Sequence, residues 1–239
     1  MRVAKNLKTN IIRIDEIPEP EIDGYYKAIT PKFIGYVEKL CRSSHEYRKL
    51  IEFLKNTLNI KSCAYMENYN LDNGFNIEFH HHPLTLYDIV ETIANKQKAE
   101  SKDERVSDME IAREVLIVHY RLIIGLIPLN PTVHEAVHSE RLFCHPEMVL
   151  GDWRIFIEEY GDYLSERTKT KLQEMEAMAK EIPYTHIPDV LKKKPIFLDF
   201  DRKMLIDYDF NTLIASNIKG FIGEKNATKN MEVSKKSNI

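Results

Sequence analysis

Nine histidines fall in the chain, and five of them sit at spacings that could serve one metal ion. Three are consecutive, His80-His81-His82, and two stand four positions apart, His134 and His138. Chance alone gives about 0.3 H-x-x-x-H pairs but only on the order of 0.01 H-H-H triplets for this composition, so the triplet is the more informative signal. It is internal, which separates it from an expression tag. On a helix, positions i and i+4 share a face, so both imidazoles of the pair can reach one ion. A third histidine from a strand end would complete a three-nitrogen set with an open coordination position. A catalytic metal needs that opening, and a closed structural site lacks it.

The elements that must position these residues are legible in part. Before the triplet, residues 63–67 and 75–79 alternate like strands around Asn70-Leu71-Asp72-Asn73-Gly74, whose turn chemistry predicts a β-hairpin. In its second strand Phe75, Ile77 and Phe79 point one way and Asn76, Glu78 and His80 the other. Glu78 could therefore contact a ligand imidazole on its own face. After Pro83 the pattern turns helical over about 86–97 and again over 107–123, where Ser107-Asp108-Met109-Glu110 reads as a capping box. Leu126-Ile127-Pro128-Leu129 is a short extended piece. Asn130 as N-cap and Pro131 at the first helical position then start a helix to about residue 140 that carries the spaced pair.

Elsewhere, helical periodicity covers about 33–40, then 44–58 with Ser44 as cap, and 152–180 with a break near Ser165. Trp153, Phe156, Ile157, Tyr160 and Leu164 look like core packing. A strand is expected at 195–200 and an apolar patch at 205–214. The tail from 224 has almost nothing to bury and reads as disordered. The expected domains are an irregular and helical lead-in at 1–60, a core at 61–145 with a helical insertion at about 84–123, a helical region at 146–222, and the tail at 223–239.

Composition narrows the function classes. With 43% hydrophobic and 30% charged residues, few Gly and Pro and no internal repeat, collagen-like and disordered chains are excluded. The longest apolar stretch, 115–129, is broken by His119, Tyr120, Arg121, Gly125 and Pro128, so no transmembrane helix is expected. Arg2, Lys5 and Lys8 lead into a polar segment, so no secretory leader is expected either. Cys41, Cys63 and Cys144 are scattered and odd in number, which argues for a reducing, cytoplasmic setting and against a cysteine-built zinc knuckle. The net charge of −3 means that any contact with nucleic acid runs through a local basic face.

The segment from Ile77 to Leu84, followed by the one from Gly125 to His138, resembles the HNH endonucleases, also known as His-Me finger or ββα-metal nucleases. The cysteine-free form of the nuclease colicins is the closer analogue, and the resemblance covers roughly residues 63–140. It implies an α+β fold: a ββα-metal core embedded in a mostly helical protein. It also implies metal-dependent hydrolysis of a nucleic-acid phosphodiester, DNA ahead of RNA. His80, His134 and His138 would hold one divalent ion (Zn, Mg, Mn or Ni), and His81 would be the general base that activates water. The ion would take up charge developing on the scissile phosphate.

The chain departs from that family in three ways. Gly125 stands where many relatives carry an Asn that braces the loop bearing the base. Asn130 and Val133 stand where many carry a C-x-x-C. The 53 positions from His81 to His134 exceed the usual gap, which requires an insertion whose ends lie close together. The ligand and base pair could also be His81 and His82, although His80 better continues the Asn76-Glu78 face. His119 reads as a packed or hydrogen-bonded core histidine, and His145 as a loop residue. Lys192-Lys193-Lys194 is a candidate phosphate patch.

An endonuclease of a phage-like element, working in the cytoplasm of an infected cell without membrane contact, is the leading expectation. A non-catalytic, metal-stabilised HNH-fold module serving a larger phage assembly is the alternative. A hydrolase acting on a small substrate through the same three histidines comes third.

Overall fold

Thr30 and Pro31 begin the first long helix as their types demand: the Thr30 hydroxyl accepts from the Phe33 amide, and Pro31 occupies the first turn. In the computed structural model this helix, α1, runs Pro31–Ser43, and Ser44 then caps α2, His45–Glu52. The structure describes residues 17–22 and 24–182. All belong to one unit, residues 1–194; a second unit, 195–239, lies outside the described residues. The expected strand at 195–200, the apolar patch at 205–214, the lysine run 192–194 and the tail also lie outside them.

Over the described residues the chain is α+β and mostly helical, with two small two-stranded sheets. After β1 (Tyr25–Tyr26), α1 and α2 come β2 (Glu78–His81), α3 (Leu86–Glu100), β3 (Val106–Ser107) and α4 (Asp108–Tyr120). Then follow β4 (Leu126–Leu129), α5 (Pro131–His138), α6 (Trp153–Tyr160) and α7 (Glu166–Glu181). Strand β1 pairs antiparallel with β3, and β2 with β4. The core lies among α1, α3 and α4, where Phe33, Ile34, Val37, Ile89, Ile93, Ile111, Val115 and Val118 are buried. Among the described residues no helix is long and apolar enough to cross a membrane.

The expected hairpin does not form. Residues 63–67 make no ladder with 75–79, because local turns use their backbone groups: Cys63 N–H donates to Tyr69 C=O and Tyr69 N–H to Met66 C=O. The Asn70 side chain caps a single 3-10 turn, Leu71–Asn73. The partner of the histidine strand is the later β4, paired Glu78 with Leu129, Phe79 with Pro128, His80 with Ile127 and His81 with Leu126. Pro128 offers no N–H, and its carbonyl accepts from Ala64 on the far side of β4. Helix α4 also stops at Tyr120, short of the expected 123, as Leu122 adopts a left-handed backbone.

Helices α3 and α4 fill the expected insertion, and its two ends meet: His82 N–H donates to Gly125 C=O at 3.0 Å. A Cβ on residue 125 would lie 1.8 Å from the His82 carbonyl oxygen. No side chain fits there, so an Asn at this position is excluded on steric grounds. Beyond the insertion, Asp88 closes a capping box with Thr85 and, almost fully buried, accepts from Arg167 and Lys171 at 2.9 Å each, which ties α3 to α7. Burial works against its charge, but Lys171 and Thr85 outweigh burial and hold the carboxyl below its ordinary range.

Gly125→Ala should therefore push β2 and β4 apart and lower stability by about 1–3 kcal/mol, read as a lower urea midpoint. An unchanged midpoint would contradict the close approach.

Candidate metal centre

Strand periodicity decides which histidines of the triplet can share a site. Successive side chains of β2 alternate, so Glu78 and His80 face outward while Phe79 and His81 face the interior. The outward face meets α5, the helix that Asn130 starts by accepting the Val133 amide at 2.9 Å. One helical turn separates His134 from His138, and both lean onto the strand. Ligand atoms of His80, His134 and His138 all lie within 4.8 Å of one another.

The finer geometry fits a cation. His134 Nε2 stands 3.0 Å from His80 Nδ1 and 3.0 Å from His138 Nε2. These separations are close to the ~3.3 Å edge of a tetrahedron built on metal–nitrogen bonds of about 2.0–2.1 Å. The other nitrogen of His134, Nδ1, donates to Glu78 Oε2 at 2.6 Å. That hydrogen bond fixes the tautomer and leaves the Nε2 lone pair directed at the other two rings. A carboxylate on the outer nitrogen is a recurrent brace for a metal-binding imidazole. Burial, and then the neighbouring His134 and His138, push His80 down to about 3, and burial followed by His134 lowers His138. Both are neutral at physiological pH, and each then has one ring nitrogen with a free lone pair.

His81 does not join this cluster. It is buried on the opposite face of β2, with Nε2 2.8 Å from His119 Nε2. His119 in turn donates from Nδ1 to the Val115 carbonyl at 2.6 Å. His119 is thus the hydrogen-bonded core histidine its helix position implies, and it holds His81 away from the ligands. Nothing in this placement supports a base at His81. Burial, followed by His119, keeps His81 well below the ordinary histidine range.

His82, half of the alternative ligand and base pair, lies nearer the cluster than His81 does in orientation. Two positions beyond His80, it lies on the same side, with ring centroids 6.4 Å apart and planes 29° from parallel. Its Nε2 is buried without a hydrogen-bond partner. Burial pushes it down to about 4, against a hydrogen bond to the Cys144 backbone. The period-two alternation of a strand was the available signal for placing it with His80.

The buried imidazole pair makes stability depend on pH. Burial lowers His119 to about 4, with Tyr47 at its edge and Arg42 adding like-charge repulsion. The unfolded chain therefore binds the extra proton first as pH falls. The stabilisation is complete above about pH 6.5 and fades toward pH 4. His119→Gln should flatten this part of the urea-midpoint profile, and a profile that stays as steep would contradict the assignment.

Comparison with known proteins places this fold in context. The family model described as Bacteriophage G278-like virion protein matches residues 15–205, most of the chain. No curated protein gives a significant match, and neither does any solved structure. The match takes in β2, β4, α5 and the three converging histidines, and on its extent the chain belongs to the Bacteriophage G278-like virion protein family.

Proposed function

We propose that this chain is a metal-stabilised component of a phage particle, in which one cation clamps strand β2 to helix α5. The observation that carries the reading is the convergence of His80, His134 and His138, with Glu78 on the outer nitrogen of His134. Three imidazole nitrogens favour zinc or nickel over magnesium, which prefers oxygen donors. When bound, the ion would join two elements 54 residues apart in sequence, His80 and His134, and its binding energy would count toward folding. The strand pair β2–β4 followed by α5 supports reading this centre as a ββα-metal module. Family membership favours the structural role, as does the burial of His81 away from the ligands.

A second reading keeps the same ligands and adds hydrolysis of a nucleic-acid phosphodiester. One observation favours it: the unpartnered Nε2 of His82 on the ligand side of β2, which could accept a proton, whereas Nε2 of His81 is paired with His119. The two readings part at a single residue. His82 is indispensable to a nuclease and incidental to a clamp.

Metal analysis, calorimetry and a plasmid-cleavage assay on the untagged chain test both. The clamp predicts about one zinc or nickel per chain, lost in His134→Ala. At about 1,000 times its dissociation constant the ion would add about 4 kcal/mol, on the order of 10 °C in the unfolding midpoint. It predicts no cleavage. Metal-dependent cutting that His82→Ala abolishes, with metal content unchanged, would establish the second reading instead. Absence of bound metal, with a midpoint indifferent to chelator, would sink both.

A further inference from the structure

We infer that the centre is shared between subunits: a second copy of this chain supplies the fourth donor, so that the cation joins two protomers. This rests on the metal clamp proposed above and adds its partner. Among the described residues only three donors converge, whereas a closed tetrahedral site needs four. The cluster lies at the surface, since His138 is exposed and His80 and His134 are half-buried.

Charge points the same way. Three neutral imidazoles bring no charge, and the Glu78 carboxylate behind His134 offsets only one of the two positive charges of a divalent ion. The one carboxylate at hand, Glu78, is committed to the outer nitrogen of His134. An anionic donor from outside would complete both the coordination and the charge. The chain exposes such groups beside its own site: Glu135 lies between the two helix ligands and Glu140 just past the helix end. Their carboxylates make no ion pair among the described residues. Each copy thus presents an open cation and, on the same helix or just past its end, exposed carboxylates. A twofold pairing needs that kind of self-complementary surface, with each copy filling the other's site.

An apolar surface adjoins the same face. Met66, Tyr69 and Phe75 are exposed by 44%, 39% and 42%. The rings of Tyr69 and Phe75 pack 4.5 Å apart. Met66 Sδ lies 3.7 Å from Nδ2 of Asn130, the cap of the ligand helix. Asn76, next to Phe75, reaches Glu78 at 3.5 Å. These contacts set the patch beside the start of the ligand helix and beside Glu78, and its residue types are those enriched at the buried centre of protein interfaces.

Light scattering on the untagged full-length chain, with zinc or with chelator, reads the mass, and metal analysis of the same samples reads the stoichiometry. The expected result is twice the 28.1 kDa chain mass with zinc and the single-chain mass with chelator. His138→Ala should lose metal and dimer together. Phe75→Ser, at a position 42% exposed, should keep its metal and weaken the dimer at least tenfold. One zinc per chain at single-chain mass would overturn the shared centre and leave the clamp standing. So would a dimer that persists in chelator. A chain that binds no zinc at all would remove the clamp itself.

Discussion

His134 Nε2, its lone pair fixed inward, stands 3.0 Å from a ring nitrogen of His80 and of His138, and such nitrogens repel unless a proton or a cation lies between them. Burial keeps His80 and His138 in the neutral form, in which each ring can turn one lone pair to a cation. The outward face of β2, the cap on α5 and the register of β2 against β4 all serve this contact. If the strand slipped by one residue, His81 would move to the site and His80 into the core. The pairing of His81 with His119 resists that slip, so the two histidine contacts on opposite faces of β2 reinforce a single register.

The insertion between the two halves of the site depends on close backbone approach rather than side-chain chemistry. Gly125 lets the chain return against His82, and β4 begins one residue later. The same contact explains why no side chain stands at 125, and why the family resemblance breaks at that position. The local closure also means that α3 and α4 can pack with α1 in the main core without shifting the ligands.

Much of the site was legible because its signals are local. The i, i+4 spacing of His134 and His138, the Asn130-Pro131 start of their helix and the face shared by Glu78 and His80 are all short-range, and each appears in the structure. The role given to His81 came from a resemblance, whereas strand alternation by itself places neighbouring residues on opposite faces. Residues 63–67 misled in another way. Their alternation suits a strand, but strand pairing is a non-local choice, and Pro128 with its neighbours in β4 provided the better partner for β2. The tie from Asp88 to Arg167 and Lys171 left no local trace, since its members lie about 80 positions apart.

The central claim is that His80, His134 and His138 share a cation and His81 does not. Nitrogen-15 spectra of the imidazole rings during zinc addition test it most directly. Nδ1 of His80 and Nε2 of His134 and His138 should move to metal-bound shifts at one equivalent, while the His81 and His119 resonances stay in place. Zinc shifts on His81, or on none of the three, would contradict the account.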